Sequence, residues 1–322
     1  MVETPFKLDE YDKRILYELD RQSNMPLSAL ARKIKKSKQF VLFRQSRLEK
    51  AGVITGYTAI VDMAKLGYFS FRIYLKFKGL SQKGVDAVIE YAKTLPNVWT
   101  VTLLHGKWDL AIFTGAKKMS DLHSVWDSIM DAHKNNIEKY NLALYAPIYN
   151  FNRTFFLDNE REVDVREYGN GAPLSLGKDY ERVILAYAPD VRQSMLSLGK
   201  KLGMSPETVR KKIAELERKK VICGYKIGLD QEKLGYVSYR LDFELSSTEK
   251  YQQLFEYCKR HKGIYQVQKT IGHMDFETEI VVRDLKELLG TIEEIKVKFS
   301  DVVVNADYFG YSTYHLLNYI PD

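Results

Sequence analysis

Cysteine is scarce: Cys223 and Cys258 are the only two in 322 residues. That excludes a disulfide framework and a cysteine-rich zinc site, and suits a reducing cytoplasm. No apolar run reaches the ~18 residues that a membrane-spanning helix needs. The opening Met1-Val2-Glu3-Thr4-Pro5-Phe6-Lys7 lacks the basic-then-apolar order of a secretory signal. A phosphate-loop Gly-Lys-Ser/Thr and a Gly-x-Ser-x-Gly elbow are also missing. The histidines (His105, His123, His133, His261, His273, His315) show neither i, i+4 nor cysteine-paired metal spacing, so no metal, cofactor or catalytic residue is expected. What is present is a chain 45% hydrophobic, too apolar for disorder and long enough for two or more domains. The balance of 49 basic against 42 acidic residues leaves only +7, so the placement of that charge matters more than its size.

Internal similarity sets the architecture. Displaced by 168 positions, Gly56-Tyr57 falls on Gly224-Tyr225, and Asp62 on Asp230. Lys65-Leu66-Gly67-Tyr68 falls on Lys233-Leu234-Gly235-Tyr236, and Ser37, Val41 and Leu48-Glu49 on Ser205, Val209 and Leu216-Glu217. After a two-residue deletion, Gly106 and Asp109 meet Gly272 and Asp275. The chain therefore reads as two copies of one unit. The polar, turn-rich stretch 158–175 between them reads as a linker.

Each copy changes period part-way. Ile15, Leu16 and Leu19, then Leu27, Leu30, Ala31 and Ile34, recur at helical spacing. Ser37 and Ser205 can cap a third helix, Pro206 suits a first helical position, and Gly52 suits a stop. Gln45 stands where an apolar inner residue is expected. Short helices joined by a tight turn read as a helix-turn-helix. From Phe69 to Phe77, and again from Tyr239 to Leu245, apolar and polar residues alternate, which predicts a strand with one buried face. A helix through Val85, Val88 and Ile89 follows, then strands at 98–104 and 110–114, a helix carrying Leu122, Val125 and Ile129, and a strand near 142–148. That βαββαβ order is ferredoxin-like.

These residues resemble the Lrp/AsnC (feast/famine) family of transcription regulators. Its opening pattern matches Leu8-Asp9, Asp12, Ile15-Leu16 and Leu19; its recognition-helix pattern matches Ser37, Val41, Arg44, Leu48-Glu49 and Gly52-Val53-Ile54. Its Gly-x-x-Asp element matches Gly106/Asp109 and Gly272/Asp275. The tandem arrangement departs from the usual single unit. The implied fold class is α+β: winged-type helix-turn-helix domains at 1–56 and 176–224, each followed by a ferredoxin-like effector and dimerisation domain, at 57–157 and 225–322. The resemblance also implies a cytoplasmic regulator, with no membrane association, whose partners are double-stranded DNA and an amino-acid effector. Its copies would pair within the chain as a pseudo-dimer, partly hiding the buried faces of the two alternating strands, and such pseudo-dimers would assemble into a homo-oligomer.

Charge placement agrees with DNA. From Arg32 to Lys50, eight Lys and Arg face one acid, Glu49, an excess equal to that of the whole chain. Phosphate neutralisation accounts for such a stretch, and so would a solvated helix face with snorkelling lysines. The expected DNA-contacting residues are Lys38, Gln39, Arg44 and Arg47 in copy one, and Ser205, Thr208, Arg210, Lys211 and Lys212 in copy two. Phe40, Leu42 and Phe43 make the first reader unlike the second, so an asymmetric site is expected rather than a palindrome. Gly106, Asp109, Gly272 and Asp275, with Thr102, are the candidate ligand residues. The acids could accept from a ligand ammonium or simply cap their turns. Two other readings stand beside the regulator. Siroheme decarboxylases resemble the same fold and act on a tetrapyrrole, but the Arg-Pro-Phe stretch associated with them is absent, Pro26 being followed by Leu27-Ser28. The third is a small-molecule-binding module without DNA affinity.

Overall fold

The computed structural model describes residues 4–159 and 162–317. The first residues of the opening segment, Glu160 and Arg161 of the linker, and the chain's last residues lie outside the described set.

The helical part of copy one is α1 (Glu10–Arg21), α2 (Leu27–Ile34) and α3 (Lys38–Lys50), leading into β1 (Ile54–Val61). Asp9 and Asp12 form a capping box at the start of α1, and the Ser37 hydroxyl accepts from Phe40 N to start α3. Ile15, Leu16, Leu19, Leu30, Val41 and Leu48 are fully buried, as their spacing predicts. Then come β2 (Phe69–Phe77), α4 (Gln82–Lys93), β3 (Val98–Gly106), β4 (Leu110–Ala116), α5 (Met119–His133) and β5 (Ile137–Phe151). After β6 (Val165–Tyr168) the same order recurs: α6 (Lys178–Tyr187), α7 (Met195–Leu202), α8 (Pro206–Arg218) and β7 (Ile222–Leu229), then β8 (Val237–Leu245), α9 (Tyr251–Arg260), β9 (Ile264–Ile271), β10 (Phe276–Val282), α10 (Leu285–Lys298) and β11 (Val303–Leu317).

The strands join the halves twice. β11 pairs with β3, and β5 pairs with β9. With β2 also paired to β5, eight of the nine strands of the main sheet close on themselves, leaving β6 on the outside of β5. A separate antiparallel ribbon, β1 with β7, sets Tyr57 opposite Ile227 and Thr58 opposite Lys226. The helix-turn-helix cores cross over. Phe155, Phe156, Ile227 and Val281 complete the first, and Ala59, Val61 and Trp99 complete the second.

Two expectations change. The apolar face of β2 (Ile73, Leu75, Phe77) packs under α4 and α5, and Leu241 and Phe243 pack under α9 and α10. It is the other face, carrying Ser70, Arg72 and Tyr74, and in copy two Arg240 and Asp242, that looks into the closed barrel. So the alternation marks a helix-covered face and a barrel-facing face, both largely buried, and the contact between copies hides the polar side. The linker is also less loose than its composition predicts. Within it, β6 extends the sheet, Arg166 is buried and donates to Asp20 O (2.7 Å) and Tyr225 O (2.8 Å), and Gly169 N donates to Asp62 (2.8 Å).

Both helix-turn-helix units need left-handed residues at two equivalent places. After α2 and α7 these are Lys35 (φ 58°) and Gly203 (φ 69°); after α3 and α8 they are Gly52 (φ 71°) and Lys220 (φ 53°). Each copy uses glycine once and a strained lysine once. Lys220→Gly is expected to raise stability by about 1 kcal/mol, the usual left-handed penalty of a residue with a Cβ, read from the denaturant midpoint. Because both seams run between copies, the halves cut near Gly171 are expected to be unstable alone and to co-purify one-to-one when co-expressed. Size-exclusion chromatography with light scattering checks this; two stable, non-interacting monomers would contradict it.

Candidate nucleic-acid interface and inter-copy chamber

On α3, Lys38, Gln39, Leu42 and Phe43 are exposed, and Arg32, Lys35 and Lys36 flank them on the preceding turn. On α8, Thr208, Arg210 and Lys211 are exposed, and the Ser205 hydroxyl accepts from Thr208 N (3.1 Å) as the cap. Arg210 and Lys211 sit 3.7 and 3.9 Å from Glu207, loose surface pairs of little energetic weight.

Arg44, Arg47 and Lys212 depart from the expected role, because the fold uses them. Arg44 bonds Asp9 and lies 3.4 Å from Asp12, and Arg47 bonds Asp12, whose side chain is wholly buried. The two arginines thereby clamp α3 onto the start of α1. In copy two Tyr180 occupies the position of Asp12. Its ring carries the Lys212 ammonium at 4.1 Å, and its hydroxyl bonds Glu215. A cation–π contact joins a looser ion pair to Asp179 (3.8 Å), and the clamp persists. Gln45, the polar intruder on the inner stripe, donates to Glu49 (3.0 Å) and to the Tyr57 hydroxyl (2.9 Å). Tyr57 also bonds Glu49, and Tyr225 bonds Glu217 at the equivalent place. Each recognition helix is therefore tied at its C-terminal end to one strand of the inter-copy ribbon.

The Gly-x-x-Asp elements stand on the seams. Asp109 accepts from Phe77 N (2.8 Å) and Lys76 Nζ (2.7 Å), and Asp275 accepts from Leu245 N (2.8 Å) at the matching register. Gly106 pairs with Phe309 across the β3–β11 seam. Gly272, at φ 97°, comes so close to β5 that a Cβ there would lie 2.6 Å from Leu142 O. These glycines admit a strand of the other half, and the two carboxylates are already engaged. Thr102 is placed differently: it is buried and lines a chamber of about 780 Å³ between the β1–β7 ribbon and the barrel.

Arg72, Arg153, Lys226, Glu279 and Tyr311 also line this chamber. Burial pushes the Lys226 ammonium down to about 8, with Arg153 and Arg166 adding to the effect. Among the described residues, no histidine lines it. Deeper in the barrel lies a charged network that the sequence analysis did not single out. Arg240, fully buried, donates to Asp242 Oδ1 (3.1 Å), Glu279 Oε1 (3.2 Å) and the Tyr145 hydroxyl (2.9 Å), and pairs with Glu277. Burial lifts the Asp242 carboxyl to about 6 against the pull of Arg240, and it lowers His273 to about 3, helped by Arg240, Lys107 and Arg72.

A family model described as winged helix-turn-helix DNA-binding matches residues 8–55. The transcriptional regulator AzlB of Bacillus subtilis is 31% identical over 125 residues, 38% of this chain and 80% of that protein. This chain belongs to the Lrp/AsnC family. Another Lrp/AsnC-type relative, the HTH-type transcriptional regulator LrpC of Bacillus subtilis, is 37% identical over 93 residues, 29% of this chain and 62% of that protein. The proline dehydrogenase transcriptional activator of Rhodobacter capsulatus is 25% identical over 126 residues, 39% of this chain and 82% of that protein. Among solved structures, the siroheme decarboxylase NirDL matches with a TM-score of 0.64 at 15% identity, over 96% of this chain and 94% of that one. So distant a likeness shows that the whole tandem arrangement is a known fold, and nothing more.

This Lrp/AsnC chain anchors its first helix-turn-helix to the chamber wall through Asp20, buried at the end of α1, which accepts from Arg153 N (2.6 Å) and pairs with its guanidinium. Burial alone would raise the Asp20 carboxyl, but Arg153 and Arg166 outweigh it and hold the group below its ordinary value. The unfolded chain therefore binds that proton more readily. The stabilisation is complete above the unfolded value of about 3.9 and is lost as pH falls through the depressed native value. Asp20→Asn is expected to cost about 3 kcal/mol at pH 7 by removing the buried negative charge that answers the Arg153 and Arg166 guanidiniums. In denaturant titrations, its gap to the wild type should narrow in strong acid.

Proposed function

We propose that this chain is a sequence-specific DNA-binding transcription regulator in which two unlike readers are held together by an intramolecular barrel. The observation that carries the reading is the exposed face of α3. A Ser-capped helix offers Lys38 and Gln39 at its N-terminal turn and Leu42 and Phe43 beside them, inside a cluster of otherwise solvent-facing lysines and arginines. Cations there neutralise phosphates, Gln39 suits adenine, and the apolar pair suits thymine methyls. The second reader works through Ser205, Thr208, Arg210 and Lys211. A zwitterionic or anionic effector of the amino-acid type would sit in the chamber, with its carboxylate toward Arg72 or Lys226 and its ammonium toward Glu279. The Gly106/Asp109 and Gly272/Asp275 turns would then report occupancy through the seams. Assembly into homo-oligomers of these pseudo-dimers is part of the same reading.

The chamber's volume and its cations favour a second reading, a siroheme decarboxylase-like tetrapyrrole enzyme, in which those cations meet the substrate's carboxylates. One experiment separates the two. Duplex affinity measured by fluorescence anisotropy is expected to fall about a thousandfold between about 50 and 200 mM salt. Lys38→Ala should lower the salt slope by about 1, while Arg44→Lys should act through stability instead. Selection from random duplexes should return asymmetric sites; perfect palindromes alone would contradict two unlike readers. Indifference to DNA, with a porphyrin absorption band in the purified protein, would replace the regulator by the enzyme.

A further inference from the structure

We propose that Asp242, His273 and Glu277 form a binding site for one divalent first-row transition ion inside the barrel, on the side that copy two supplies. The inference is independent of DNA binding. β8 and β10 place Glu277 directly opposite Asp242, two carboxylates facing each other across a ladder, an arrangement that repels unless a cation answers it. Arg240 answers half of it. Its guanidinium takes Asp242 Oδ1 and Glu277 Oε2, leaving Asp242 Oδ2 and Glu277 Oε1. Both oxygens face His273 Nδ1: Glu277 Oε1 shares a hydrogen bond with it at 3.0 Å, and Asp242 Oδ2 lies 3.5 Å away.

Asp242 is wholly buried, and its Oδ2 has no hydrogen-bond partner, an arrangement normally costly enough to be avoided. Glu277 Oε1 lies 2.9 Å from the Thr270 hydroxyl, but that hydroxyl also lies 2.5 Å from Met274 O and has a single proton to give. The three ligand atoms lie within 4.8 Å of one another. Ligands bound at about 2.1 Å and separated by 90–109° stand about 3.0–3.4 Å apart; the imidazole nitrogen already stands at 3.0 and 3.5 Å from the two oxygens, and the carboxylates would close toward each other around the ion. The imidazole ring is held in place by Tyr74, stacked at 4.8 Å.

One imidazole with two carboxylates suits zinc, manganese or iron(II) better than calcium or magnesium. The equivalent positions of copy one carry Tyr74, Lys107 and Ala111, which offer no such set, so the expected stoichiometry is one ion per chain.

The test uses the full chain, stripped with chelator and dialysed against micromolar zinc or manganese. Mass spectrometry of the metal content should give one equivalent per chain, with a raised thermal midpoint. His273→Ala and the isosteric Asp242→Asn should lose the ion and the midpoint shift, while His123→Ala, on the exposed face of α5, should keep both. Circular dichroism of the metal-free variants shows whether they fold. If either variant fails to fold, cobalt(II) loaded into the wild type should show d–d bands of a nitrogen–oxygen site without thiolate charge transfer. Failure of the wild type to retain any of these metals, or equal retention by folded His273→Ala and Asp242→Asn, overturns the proposal.

Discussion

The constraint on which the molecule turns is closure of one sheet by two halves of a chain. The seams β3–β11 and β5–β9 leave no long open edge on the eight closed strands, and they place one face of every closed strand inside. Anything polar on that face must then find its partner there, since water cannot supply one at depth. The Arg240 network, the Tyr74–Tyr145 hydroxyl pair at 2.9 Å and the bonds from Gln268 and Tyr311 to Glu279 are the result. Interior carboxylates paired this closely are strongly destabilised by loss of either partner, yet they add little net stability over an apolar filling. They favour one register of the two halves, because a slipped strand would strand a charge.

Much of the fold was legible in the residues because its signals are local. Helical stripes, the serine caps and the Asp-x-x-Lys-Leu-Gly-Tyr turns each act over a few positions, and the displacement by 168 exposes the repeated order. What stayed hidden depends on distant pairing. Alternation in β2 and β8 cannot say whether the polar face meets water or another copy. Arg44 and Arg47 look like phosphate contacts until Asp12, more than thirty positions earlier, takes them. Asp242, His273 and Glu277 come together only through the β8–β10 register. One signal for them was available: where copy one carries Tyr74, Ala111 and Phe113, copy two carries Asp242, Glu277 and Glu279. Acids replacing apolar and aromatic residues at strand positions imply that the environment changed with them.

The helix-turn-helix units and the barrel are mechanically continuous. Glu49–Tyr57 and Glu217–Tyr225 join each recognition helix to the β1–β7 ribbon, and Arg192 braces the ribbon by lying 4.6 Å over the Tyr57 ring while donating to Ser23 O (2.7 Å). The ribbon forms one wall of the chamber. Its Ile227, Ala59 and Val61 also complete the helix-turn-helix cores, so the chamber wall and both cores form one packed unit.

The lopsided barrel interior has a consequence for how such a molecule can change over generations. In an assembly of identical subunits every replacement appears twice, mirrored through the axis, so a single carboxylate near the centre always meets its twin. Joining the halves by a peptide bond removes that obligation. One half is free to acquire ionised groups while the other keeps aromatic rings, and each side can be tuned against an unlike neighbour.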